Sequence, residues 1–225
     1  MSELDLSPFW LSLRIASLAT LLVVATGLPL ALVLARGNFV GKGILSGVVL
    51  LPLVMPPTVL GYVLLLILGR RSWLGGLLEH ALGWTVVFHW SGGVIASAVA
   101  AFPLFLLPAR SAFEGVEPRL EQMARLLGRT NWSVFASVTL PLAWRGLASG
   151  VILAFVRALG DFGATLMVAG DMPGRTRTVS MAIYDAAVLS DDPKTALVFT
   201  AMVSTVSVVA LVITQTLWAR RPRTP

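Results

Sequence analysis

The sequence predicts an all-α integral membrane protein, a bundle of five helices with a possible sixth, and three observations predict it. Of 225 residues, 56% are hydrophobic and only 12% charged, about half the charge of an ordinary soluble domain, and the mean hydropathy is +0.85. Five segments, approximately 9–35, 44–68, 92–112, 142–168 and 196–218, are apolar over the roughly 20 residues that cross a hydrocarbon core of about 30 Å. The basic residues are also divided unequally by these segments. No linker or low-complexity tract interrupts the chain, so residues 1–225 are expected to form a single transmembrane domain.

The charge asymmetry orients the bundle. Taking the polar stretch 113–141 and the C-terminal tail as one side, that side holds Arg36, Lys42, Arg110, Arg119, Arg125, Arg129, Arg145, Arg220, Arg221 and Arg223. The other side holds Arg70, Arg71, Arg175, Arg177 and Lys194. Ten against five satisfies the positive-inside rule, which places the loop and the C-terminus in the cytoplasm and, with five spans, the N-terminus outside. The net charge of +6 is therefore topogenic, and nucleic acid is not an expected partner. With no cysteine, disulfides and thiolate metal sites are excluded. His80 and His89 are not spaced as a metal pair on a helix face, and no metal site is expected.

The elements follow in order. The first span begins with Glu3 and Asp5 and stays apolar to about residue 35. A secretory signal has a basic start and an apolar core of about 7–15 residues, so this span should be retained, with Arg14 snorkelling to the outer interface. The second span contains Pro52 and then Pro56-Pro57-Thr58. Each proline removes a backbone donor and clashes with the preceding turn, so the helix must break or kink at membrane depth. Such backbone is tolerated where protein buries it or a wet path solvates it. Pro52 suits a packing kink; Pro56, Pro57 and Thr58 are candidates to border a polar path. Residues 73–90, with Trp73, Trp84 and Trp90 around several glycines, read as an interfacial or re-entrant helix. If they cross instead, the spans number six and the N-terminus lies inside.

After the third span comes the polar stretch. Pro118 suits a first helical position and Gly128 the left-handed residue just past the end, which predicts a helix of roughly 15 Å over Pro118–Leu127. Leu120, Met123, Ala124 and Leu127 share one face. That face needs a cover, either lipid headgroups or a partner. The fourth span carries Arg157 and Asp161 near its centre, where each charge costs about 2.5–3.5 kcal/mol if uncompensated. Their i, i+4 spacing allows them to pair on a face turned to the bundle or a wet cavity. The pair either fixes packing or borders a route and changes partners as it opens. The fifth span closes the chain.

Glu121-Gln-Met-Ala-Arg-Leu-Leu-Gly128, followed after nine residues by Val138-Thr-Leu140-Pro141, resembles the cytoplasmic loop of bacterial ABC importer permeases: Glu-x-Ala-Ala, three residues, Gly, nine residues, Ile-x-Leu-Pro. Met123 and Val138 depart from that pattern. The runs from Phe155 to Gly170 and from Pro173 to Tyr184, and the Leu51-Pro-Leu-Val-Met-Pro-Pro-Thr-Val-Leu-Gly-Tyr62 pattern, are similar to molybdate importer permeases in particular. Asp161 stands where that family generally has Glu, and Asp171 where it often has Asn.

The resemblance implies a type I importer fold with a cytoplasmic coupling helix, in a bacterial inner membrane. It implies a homodimer over two cytoplasmic ABC ATPase subunits, with an external molybdate-binding protein supplying substrate and most of the specificity. Glu121, Ala124, Gly128, Leu140 and Pro141 would form the ATPase-coupling loop. Pro56, Pro57, Thr58, Arg157, Asp161 and Thr165 would belong to the translocation pathway or gate. The chain is not expected to be an enzyme or to bind a cofactor: it has no Gly-x-x-x-x-Gly-Lys-Ser/Thr loop, so ATP and Mg belong to the partner ATPase. Sulfate, thiosulfate or tungstate are alternative substrates. An ion-coupled carrier or a channel is the alternative class; the repeated halves typical of such carriers are absent.

Overall fold

A computed structural model describes residues 5–219; Glu3 and the tail arginines Arg220, Arg221 and Arg223 lie outside the described residues. The first apolar run is one helix, α1 (Ser7–Arg36), about 45 Å long at the usual rise. Asp5 holds its start, accepting from the Ser7 amide at 2.9 Å and the Ser7 hydroxyl at 2.8 Å. The second run is two helices, α2 (Lys42–Val54) and α3 (Pro57–Leu68), with a bend of 118° between them. The cause is local. Met55 and Pro56 each precede a proline and are pushed into extended backbone, with ψ of 136° and 137°. The break expected at Pro56-Pro57 is thus present, and it divides the segment 44–68 into two helices.

A ten-residue helix, α4 (Trp73–Leu82), is capped by the Ser72 hydroxyl and stopped by left-handed Gly83; it is too short to cross. Next come α5 (Trp90–Glu114) and α6 (Pro118–Leu126). A continuous helix then runs from α7 (Asn131–Val134) through a π-helical turn (Phe135–Thr139) into α8 (Leu140–Leu159). Pro141, expected to begin this span, lies ten residues inside it. Having no N–H for the Ser137 carbonyl, it shifts the ladder, and the Leu140 amide bonds to Phe135 instead. Two short helices follow, α9 (Gly163–Ala169) and α10 (Val179–Tyr184), the latter extended by a second π turn over Asp185–Leu189. The last helix is α11 (Pro193–Ala219).

Side-chain contacts give the directions. The Arg14 guanidinium lies over the Trp90 ring at 4.2 Å, joining the starts of α1 and α5. Arg36 Nη2 donates to the Val116 carbonyl at 3.0 Å, joining their ends. The two helices are therefore parallel, and residues 37–89 must return between the ends of the bundle through the bent pair. Among the described residues, four helices are individually long and apolar enough to cross a membrane, five if the bent pair counts as one span. At the core, α1, α5 and α8 approach closely through Ala16, Ala19, Ala31, Ala101, Ala109, Ala143 and Ala154, all essentially inaccessible, around Phe105 and Phe113. Lipid tails are as apolar as the core, so dispersion at short range holds such helices together.

Candidate functional site

Two constellations stand out, one at each end of α8. At the loop end, α6 is closed by the bond pattern that a left-handed glycine permits. Gly128, at φ 82°, donates to Arg125 at 2.9 Å, and Arg129 donates to Ala124 at 3.2 Å. The helix buries its acid and shows its apolar groups. Glu121 is 9% exposed, whereas Met123, Leu126 and Leu127 are 61%, 87% and 83% exposed, and Leu120 is also open. Glu121 Oε1 accepts from Arg36 Nη2 at 2.8 Å and from the Thr139 hydroxyl at 2.8 Å. One carboxylate thus ties α6 to the end of α1 and to the π turn that leads into α8. Arg36 Nε is buried without a hydrogen-bond partner, so the cluster is incompletely satisfied.

At its far end α8 stops at Gly160, and this corrects the expectation that Arg157 and Asp161 sit mid-span: Arg157 is in the last turn and Asp161 in the break before α9. The break exists because Asp161 replaces a helical carbonyl. Its Oδ2 accepts from the Thr165 amide at 2.9 Å and the Thr165 hydroxyl at 2.6 Å, while Arg157 Nη1 donates to Oδ1 at 3.0 Å. The carboxylate is fully buried and Arg157 only partly so. Thr165 Oγ1 also lies 3.2 Å from Ser97 Oγ on α5.

This break meets the other one. An added Cβ on Gly163 would fall 2.8 Å from the Pro57 Cβ and 3.4 Å from the Thr58 amide nitrogen. The Pro56-Pro57-Thr58 interruption and the Asp161 interruption, read separately from the sequence, are thus packed into one junction. Gly163→Ala is expected to overpack it at a cost of about 1–3 kcal/mol, seen as a lower thermal midpoint of the purified protein. An unchanged midpoint would show that the two breaks are not held in contact.

The structure brings together Pro57, Asp161, Thr165 and Arg157 in one region, and Glu121 with the segment before Leu140-Pro141 in another. Ala124 is half-buried on α6. Arg36 and Thr139 were not singled out by the sequence. Arg36 reads there as one more topogenic charge, and Thr139 occupies an unspecified position of the loop pattern. Ser97 has no signal beyond being polar in an apolar run.

An all-helical membrane bundle with two interrupted passes and an anchored amphipathic helix at one end defines a multi-pass transport protein. The family described as binding-protein-dependent transport system inner membrane component matches residues 27–224, and the chain belongs to it. Among relatives, the molybdenum transport system permease protein ModB of Escherichia coli (strain K12) is 47% identical over 174 residues, 77% of this chain and 76% of that protein. ModB of Haemophilus influenzae is 41% identical over 181 residues, 80% of this chain and 79% of that one. The fold is that of type I importer permeases. A chain of the MetNI methionine ABC transporter superposes with a TM-score of 0.66 at 17% identity, covering 96% of this chain and 99% of that one. A bacterial alginate ABC transporter superposes at 0.70 and 18%, covering 96% and 78%.

Proposed function

We propose that this chain is the pore-forming subunit of an ATP-driven molybdate importer, acting as a homodimer over two cytoplasmic ABC ATPases and supplied by an external molybdate-binding protein. The observation that carries this reading is α6: a helix whose apolar face is uncovered while its acid is anchored beneath it suits docking to another protein. The relatives' names support the substrate. ATP and Mg would bind the ATPases, this chain holding no cofactor, with the α6 end and the C-terminus cytoplasmic and the N-terminus outside.

The mechanism follows from the connections. Closure of the ATPases displaces α6; Glu121 transmits the displacement through Arg36 to α1 and through Thr139 to the base of α8. Helix α8 is one rigid rod to Leu159, so the motion arrives at the junction where Asp161, Thr165 and Pro57 meet. Access there switches when the two interrupted helices separate or close, with Arg157 able to follow because its side chain keeps some exposure while Asp161 is fully buried.

The test is reconstitution with the cognate ATPase and binding protein in proteoliposomes, comparing ATP-dependent uptake of molybdate and sulfate. Molybdate uptake is expected, and Gly128→Asp should abolish it. A side chain at φ 82° is strained by about 1–2 kcal/mol, and the new charge sits on the docking face. Sulfate preference would reassign the substrate; uptake by this chain alone without nucleotide would overturn the class.

A further inference from the structure

The end of the bundle opposite α6 holds a cavity of about 540 Å³ walled by Arg14, Phe88, His89, Trp90, Met172 and Arg175, among others. Its charge is one-sided. Arg14 stacks on Trp90, and neither Arg14 nor Arg175 has a carboxylate within ion-pair distance among the described residues. The acids of this end are held elsewhere. Asp171 and Asp185 both engage Arg177, at 2.8 Å and 3.0 Å, and Asp5, Asp185 and Asp192 line a separate cavity of about 250 Å³. Arg177 thus takes up the neighbouring carboxylates and leaves the larger cavity cationic.

The cavity also sits in register with the junction below. Its wall at Met172 and Thr176 is the loop leaving α9, closed by the Thr176 hydroxyl, which donates to Gly170 O at 3.1 Å and accepts from the Met172 amide at 3.1 Å. The Phe88 amide donates to the Val168 carbonyl at 2.9 Å, tying the opposite wall to the end of the same helix. His89 Nδ1 lies 3.3 Å from the Ser91 amide, which donates to it, and 2.8 Å from Ser91 Oγ; with Nδ1 accepting, the neutral ring carries its proton on Nε2 as a further donor. Burial, and then the Arg14 charge, holds the imidazole below its usual pKa, so near neutral pH the ring is uncharged and the two guanidiniums carry the field.

We propose that this cavity is a receiving site for a free tetrahedral oxyanion, held by Arg14 and Arg175 with His89 as a neutral donor, between delivery from outside and passage to the Asp161 junction. It rests on the importer reading above. A planar guanidinium offers paired N–H groups that match two oxygens of such an anion, and the cavity is roomy enough for the anion to keep part of its water.

The experiment is equilibrium binding of radiolabelled molybdate to the permease–ATPase complex in phosphatidylcholine nanodiscs, at low ionic strength, without ATP or binding protein. Saturable binding is expected in the wild type and in Arg71→Gln, an exposed arginine outside the cavity. Affinity should fall about tenfold or more in Arg14→Gln or Arg175→Gln, the scale of one lost charge-assisted hydrogen bond, and binding should vanish in the double variant. Arg175→Lys, which keeps charge but not the fork, should fall between, and serves if a Gln variant fails to assemble on gel filtration. Equal binding by wild type and double variant overturns the proposal, as does the absence of saturable binding. So does a phospholipid that co-purifies with the wild type, is lost from the double variant and is not displaced by molybdate, since the arginines then serve a lipid headgroup. Because neither ATP nor binding protein is present, this site can fail while ATP-driven uptake stands, and the reverse.

Discussion

Asp161→Ala is expected to destabilise the protein by about 3 kcal/mol, the lower end of the range for breaking a buried ion pair, because Arg157 keeps some exposure. Three donors lose one acceptor together: Arg157 Nη1, the Thr165 amide and the Thr165 hydroxyl. The hydroxyl can still turn to Ser97; the amide at the start of α9 has no such substitute. Asp161→Asn should be intermediate, since an amide oxygen can accept from Thr165 but cannot neutralise Arg157. Asp161→Glu should be milder still, keeping the charge while lengthening the reach by one methylene. Thermal inactivation of the purified complex, with uptake measured on the survivors, reads both effects. An Ala variant as stable as the wild type would mean that the carboxylate does not hold the break.

Glu121→Ala is expected to abolish most ATP-driven uptake while affecting stability less. Glu121 is buried but Arg36 stays partly solvated, so the loss of two hydrogen bonds should cost about 1–3 kcal/mol. The larger loss is mechanical, because α6 then touches α1 and the base of α8 only through packing. A double-mutant cycle with Arg36→Met separates the routes. If Glu121 acts through Arg36, the double variant is no worse than Glu121→Ala alone; additive losses would assign the coupling to Thr139 instead. Uptake at the wild-type rate in Glu121→Ala would remove α6 from the mechanism.

These residues show unequally how far the sequence carries. Helix α6 is legible because its determinants are local: a proline that suits the first turn, a glycine that suits the left-handed stop, and an apolar stripe between them. The interruption at Pro56-Pro57 is legible for the same reason, since two consecutive prolines remove two backbone donors and bias both Met55 and Pro56 away from helical backbone, whereas the single prolines Pro29, Pro52, Pro103 and Pro108 stay inside helices. The 118° angle it takes is not, because two extended residues permit many directions and the packing of α3 on α9 selects one. The break after Leu159 escaped the sequence altogether. Gly160-Asp161-Phe162-Gly163 is apolar enough to continue a span, and only the bonds from Thr165 to Asp161 show that the carboxylate has taken the place of a backbone acceptor.

The sequence by itself determined the membrane class, the orientation signal and the loop helix, because transfer cost, charge bias and capping depend on each residue and its near neighbours; it left five or six passes open. Only the tertiary structure decided that Glu121 meets Arg36 and Thr139, that the two helix breaks share one junction, and that Arg14 and Arg175 line one cavity free of acids. Those pairings join residues far apart in the chain, and such contacts leave no periodicity or spacing along it; they exist only once the helices have packed.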